Sequence, residues 1–256
     1  MDIVVDVGNS TVQIGFYQND KIIKKFGFVT DSNKSVDELI ALLLEQNRIN
    51  GINADEAEYL LYSSVVPTIN FNLTAALQKI YKNASYLSMA NKIKTGLAMK
   101  CDNPSEVGQD LIADMVAAKE KYGYPTIVVD LGTASKVLLI DKDGFFSSAA
   151  IMPGLVISAK SLFDRGEQLP NISLSVPKKM IGRNTIDSMN IGIIYGHLDG
   201  FKGIVNRTEE EIGYKCKKIL TGGASFFMKD IIDDNEYIVD EDLCTDGLNL
   251  ILKRNK

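Results

Sequence analysis

Ile3-Val4-Val5-Asp6-Val7-Gly8-Asn9-Ser10-Thr11, near the start of the chain, is written again as Ile127-Val128-Val129-Asp130-Leu131-Gly132-Thr133-Ala134-Ser135. The offset is constant, since 130 − 6 and 132 − 8 both give 124. Each copy is an apolar run that ends in an acid, a glycine and small hydroxyl or amide residues. A second apolar run follows each (Val12 to Tyr17, Val137 to Ile140), and both reach a polar turn, Asn19-Asp20 and Asp143-Gly144. This pattern predicts a buried strand, a tight turn and a returning strand, made twice. Two such hairpins facing each other would hold a nucleotide's phosphates between them. Glycine lets the backbone approach a phosphate oxygen, and the following amides and hydroxyls donate to it. Asp6, at a strand end, is placed to hold Mg²⁺ through water, because Mg²⁺ dehydrates reluctantly. One copy alone would read as a strand and an Asx-type turn; the second copy reverses that preference.

The bulk properties restrict the function classes. A chain of 256 residues, 45% hydrophobic and 24% charged, suits one large domain or two small lobes with a substantial core. No apolar run reaches the roughly 18 residues of a membrane span, and no basic segment precedes the first apolar stretch, so a cytoplasmic protein is expected. The net charge of −5 offers nothing to nucleic acid or an anionic membrane. An ATP-like polyanion would have to be held locally, by glycine-turn amides and bound cations. Cys101, Cys216 and Cys244 are odd in number and far apart, which disfavours a disulfide framework or zinc site. With His197 as the single histidine, serine-histidine hydrolysis and multi-histidine metal sites are set aside.

Between the repeats, Ser35 and Glu38 stand at capping-box spacing before a helix that runs to Leu44. Tyr59 to Val66 reads as a buried strand, Asn70 to Tyr81 as a helix, and about Asp110 to Lys121 as another. The second half adds a long helix from Thr185 to Glu211, a strand from Lys218 to Thr221, and a closing helix from Asp246 to Lys253. The expected architecture is α/β: two ribonuclease-H-like lobes, residues 1–120 and 121–256, with an inter-lobe nucleotide cleft, as in acetate and sugar kinases, Hsp70 and actin. Fold alone leaves function open. Gly222-Gly223, after the late strand, stands where this architecture places its adenosine contact, although a glycine pair alone is more often a plain turn. Asp110 in Gly108-Gln109-Asp110 reads either as a helix N-cap or as a general base for phosphoryl transfer. Gly192, Gly196 and Gly200 recur every four residues on one helical face. That face suits packing within the second lobe or, in the preferred reading, a two-fold dimer contact, with His197 a packed residue.

The ordered set DVGNS (6–10), SSVVP (63–67), NPSEVGQD (103–110), DLGTA (130–134), IMPGL (151–155), GRNT (182–185) and LTGG (220–223) spans nearly the whole chain and resembles the type III pantothenate kinase family. The resemblance implies ATP-dependent phosphorylation of pantothenate, which opens coenzyme A biosynthesis, by a homodimer with active sites near the subunit interface. Carried over by position, Asp6, Val7, Gly8, Asn9, Ser10, Thr11, Val12, Gln13 and Thr133 contact ATP. Asp110 is the proton acceptor, and Asp130 binds a monovalent cation, K⁺ or NH₄⁺. Gly108, Gln109, Asp110, Leu111, Thr185 and the position of Cys101 line the pantothenate site. Three positions depart from the family pattern. Leu111 stands where an Arg usually follows the catalytic acid, Cys101 where a Tyr usually precedes Asn-Pro by two, and Lys136 where the DxGTA run usually continues with Thr. These changes leave open a kinase for another small hydroxylated acid, or a nucleotide-binding regulator of the same fold. A lysine at 136 also allows its ammonium to stand in for the monovalent cation, the alternative being an exposed strand lysine.

Overall fold

The two copies of the repeated phrase become the central strands of two sheets. The computed structural model describes residues 1–233 and 235–256. In chain order, β1 (Asp2–Val7), β2 (Thr11–Gln18) and β3 (Lys21–Val29) are followed by α1 (Val36–Asn50), β4 (Tyr59–Ser64), α2 (Pro67–Ile80) and β5 (Ser85–Ser88). The short β6 (Ala98–Met99) and α3 (Gln109–Tyr122) lead to β7 (Thr126–Leu131), β8 (Ala134–Ile140), β9 (Phe145–Pro153) and α4 (Leu155–Arg165). Last come α5 (Thr185–Ile212), β10 (Lys217–Thr221), β11 (Ile238–Val239) and α6 (Leu243–Lys253). The first sheet runs β3-β2-β1-β4-β5 and the second β11-β10-β7-β8-β9-β6. Read outward from β1 and β7 the orders correspond, and the offset of 124 carries the bounds of β1 onto β7 and those of β3 onto β9. The duplicated ribonuclease-H-like architecture is present.

The chain falls into two compact units. The first comprises Met1–Leu97, Asn103–Ala117 and Leu243–Lys256; the second comprises Ala98–Asp102 and Ala118–Asp242. In the first, alternation along β1 sends Ile3, Val5 and Val7 to a core shared with Leu39 and Leu43 of α1 and Leu73 and Leu77 of α2. Val4 points the other way, into a cluster with Leu61, Ala113, Val116, Leu248, Ile251 and Leu252. Both faces of β1 are therefore covered, which is why it reads as an unbroken apolar run. A division at residue 120 would assign α6 to the second lobe, but α6 packs in the first unit. Gly247 makes this close approach possible, since a Cβ there would lie 1.9 Å from the Ala113 carbonyl oxygen. In the second unit, Ile127, Val129 and Leu131 pack with Leu155 of α4 and Met189, Ile194 and Phe201 of α5.

Local chemistry sets the ends of these elements. Ser35 accepts from the Glu38 amide and Glu38 accepts from the Ser35 amide, the reciprocal box that the spacing predicts, and Gly51 closes α1 in the left-handed region at φ 67°. α2 begins at Pro67, three residues earlier than periodicity suggests, because proline at the first helical position loses no needed N–H. The β2–β3 turn places Asn19 and Asp20 at φ 49° and 69°, as a two-residue hairpin requires.

Candidate active site

In the first unit the chemistry gathers at the carboxyl ends of β1 and β4, parallel strands in which Asp6 is level with Ser63 and Val7 with Ser64. In open α/β sheets this is the edge that receives ligands. The turn after β1 is tied down from inside: Gly8 donates to the Thr11 carbonyl at 3.1 Å, and the Thr30 hydroxyl donates to the Gly8 carbonyl at 2.7 Å. Asn9 and Ser10 are exposed at its tip, while the side chains of Val7 and Val12 are wholly buried. Those two valines therefore have only backbone to offer a nucleotide. The start of α3 is held at the same edge, because the Ser64 amide donates to Gln109 Oε1 at 3.1 Å. Asp110 lies half-buried in the first turn of α3. A Cβ on Gly108 would come within 2.5 Å of Asp110 Oδ1, so the glycine clears the space that this carboxylate occupies. Leu111, the next residue, is 8% exposed and points into the fold.

In the second unit the matching edge is formed by β7 and β10, with Asp130 level with Thr221. Two glycines allow the segments around it to meet. Gly222 adopts φ 90°, and a Cβ there would lie 2.4 Å from Asp130 Oδ1 and 2.6 Å from the Leu131 backbone. Gly154, which precedes α4, would carry a Cβ only 2.3 Å from the Thr133 carbonyl oxygen. The motifs DLGTA, IMPGL and LTGG are thus three pieces of one packed corner, with Thr133 exposed on it. Gly223, by contrast, has nothing within 4 Å of a Cβ. Neither β9 nor α4 stands out in the sequence, so the role of Gly154 emerges only once both elements are in place.

GRNT resolves into a cap. Asn184 accepts from the Asp187 amide at 2.9 Å and leaves Thr185 exposed as the first residue of α5. Thr185 also lines a cavity of 760 Å³ with Met152, Pro153, Ser158, Met189 and His197. His197 contacts the Ser135 hydroxyl at 2.9 Å, and burial holds its ring below the usual imidazole range. It is the packed residue that the sequence suggested. Cys101 belongs to the second unit, whereas Gly108–Leu111 belong to the first.

A model of the type III pantothenate kinase family matches residues 2–207. A type III pantothenate kinase of Halalkalibacterium halodurans is 38% identical over 257 residues, covering 100% of both chains. This chain belongs to the type III pantothenate kinase family. Two solved structures share the fold of this family member. A candidate Baf family transcriptional activator from Campylobacter jejuni superposes with a TM-score of 0.61 at 20% identity, over 99% of this chain and 98% of that one. An archaeal actin homologue does so with a TM-score of 0.53 at 11% identity, over 99% of each. At these identities the likeness concerns the fold.

As a type III pantothenate kinase the chain should use ATP with a divalent metal, and its donors can be compared with that need. Among the described residues no group of three or more His, Cys, Asp or Glu is placed to hold a metal. Mg²⁺ is commonly held by one or two carboxylates together with substrate phosphates and water. Asp6, a half-buried carboxylate at the end of β1, is of the type that would hold it. A monovalent ion at Asp130 fits less well. Lys136 Nζ donates to Asp130 Oδ2 at 2.7 Å, with the two side chains only 15% and 10% exposed. A further cation about 4 Å from that ammonium would meet a repulsion of roughly 4 kcal/mol at an effective dielectric constant near 20.

Proposed function

We propose that the chain transfers the γ-phosphoryl group of ATP to the hydroxyl of pantothenate, giving 4′-phosphopantothenate, the first step of coenzyme A biosynthesis. The observation that carries this reading is Asp110, in space that Gly108 keeps clear and next in sequence to Gln109, which accepts from the Ser64 amide at the end of β4. Asp110 accepts the hydroxyl proton as the new P–O bond forms and the bond to ADP breaks, a role worth about 10²–10⁴ in rate. Backbone donors in the turns at 8–10 and 132–133 hold phosphate oxygens, and Gly222-Gly223 lies against the adenosine. Asp6 would hold the Mg²⁺, which when bound would neutralise charge on the phosphates. Gly108–Leu111 and Thr185 contact the acceptor.

A second copy covers the apolar face made by Val156, Ile157 and Phe163 of α4 and Ile186, Gly192 and Gly196 of α5, all exposed. The three cysteines form no disulfide, which suits a reducing cytoplasm. One observation favours a second reading, a kinase for another small hydroxylated acid: the buried, apolar Leu111 side chain supplies no charge to the pantothenate carboxylate. Measuring ADP release with and without pantothenate, beside Asp110→Asn, separates these. Pantothenate-dependent release that falls by about 10²–10⁴ in the variant supports the proposal. Release that responds only to a different hydroxy acid supports the second reading, and ATP binding without turnover on any such acid defeats both.

A further inference from the structure

Lys136 is placed opposite Asp130 by hairpin register. In the first unit Val7 pairs with Val12, so Asp6 faces Gln13. In the second, Leu131 pairs with Ser135, so the turn is one residue shorter and Asp130 faces Lys136. Without that deletion the 124 offset would bring Val137, the counterpart of Gln13, opposite the acid. Residues directly opposite on antiparallel strands share a face with adjacent Cβ atoms. The short turn thus commits the lysine to the carboxylate, and the two meet at 2.7 Å. This is no solvated strand lysine, since its side chain is 15% exposed. Its ammonium also lies 3.6 Å from where a Cβ on Gly132 would be, while Asp130 Oδ1 sits against Gly222. One fixed positive charge is therefore installed at the corner where the phosphate-type turn and the Gly222 turn meet.

We propose that Lys136 is a tethered monovalent cation: its ammonium occupies the place of K⁺ or NH₄⁺ at Asp130, and the protein works without a dissociable monovalent ion. The role rests on the nucleotide-binding function proposed above. Lysine suits it better than arginine, because the ammonium is a compact point charge of the kind it replaces, not a planar fork. A tether also fixes the charge at full occupancy, so nucleotide affinity becomes insensitive to the surrounding ion.

The test uses the full chain and its Lys136→Thr and Lys136→Gln variants, exchanged into choline, K⁺ or NH₄⁺ chloride at equal ionic strength. Two readouts are taken: Mg-ADP affinity by calorimetry, and pantothenate-dependent ADP release. The wild type should vary by less than about twofold among the three salts. Lys136→Thr should lose at least about tenfold in affinity in choline, and recover in K⁺ or NH₄⁺ as the ion enters the space released. Lys136→Gln, which keeps bulk without charge, should lose affinity with no rescue, and it guards against misfolding of the shorter variant. A wild type that loses about tenfold or more in choline overturns the proposal, as does a Lys136→Thr variant indifferent to all three salts. Because affinity is read independently of turnover, an inactive but cation-insensitive wild type would contradict the proposed reaction and leave the tethered charge supported.

Discussion

Replacing Gly247 with alanine sets two effects of opposite sign against each other. Gly247 lies inside α6, where alanine is better than glycine by about 1 kcal/mol, so propensity alone predicts a gain. Packing predicts the reverse. The new Cβ would stand 1.9 Å from the Ala113 carbonyl oxygen and 2.5 Å from its carbon, whereas ordinary contact begins at 3.4 Å. Helix α6 would have to retreat by about 1.5 Å, the difference between 3.4 and 1.9. That retreat loosens Leu248, Ile251 and Leu252, all fully buried against Val4 and Leu61. Overpacking of this kind costs about 1–3 kcal/mol and sometimes more, and a rigid backbone neighbour puts this case at the upper end or beyond. We expect a net loss of about 2–4 kcal/mol, and a thermal midpoint lower by roughly 4–16 °C at about 2–4 °C per kcal/mol. Thermal unfolding followed by circular dichroism reads the result. A midpoint unchanged or raised would refute the packing argument and leave propensity in charge.

Other outcomes follow from the same geometry. Gly222→Ala combines a positive φ with a clash against Asp130, and should weaken Mg-ADP binding and cost about 2–4 kcal/mol of stability, whereas Gly223→Ala next door should stay within about 0.5 kcal/mol. Equal effects in calorimetry and unfolding would count against the packed corner. Because burial lowers the folded pKa of His197 below 6.5, the unfolded chain takes up that proton first, so this residue's contribution falls as pH drops through about 6.5 and is constant above it. His197→Gln should flatten that part of the stability profile, and an unchanged slope would show that another group is responsible. Gly196→Leu should lower the oligomeric mass seen by light scattering, since a bulky side chain would stand on the face assigned to the second copy; an unaltered mass would remove that assignment.

Much of the fold could be read from residue pattern because the pattern is itself duplicated. The runs ending in Asp6 and Asp130 locate both central strands, and Ser35 with Glu38 fixes a helix start by local chemistry. What escaped depends on contacts distant in sequence. β9, Phe-Phe-Ser-Ser-Ala-Ala-Ile-Met-Pro, shows neither clean alternation nor strong β-formers through its middle, and becomes a strand by pairing with β8. α6 is recognisable as a helix, but its place against α3 is set by a single glycine whose partner lies far back in the chain. Asp6, Asp110 and Asp130 are visible in the sequence as acids at strand ends or at a helix start. The close approaches of Gly154 and Gly222 are not, because a glycine pair in sequence looks the same whether or not a backbone lies against it. Lys136 lies between: the sequence allows its ammonium to stand in for the cation at Asp130, but the reason the two meet, a turn shorter by one residue, shows only in the register.

The most direct measurement is product analysis after incubating the protein with γ-labelled ATP, Mg²⁺ and pantothenate, beside Asp110→Asn. The account predicts label on the pantothenate hydroxyl with the wild type, and ATP still bound but label transfer all but abolished with the variant. Label appearing only as free phosphate, or transfer undiminished in Asp110→Asn, would contradict it.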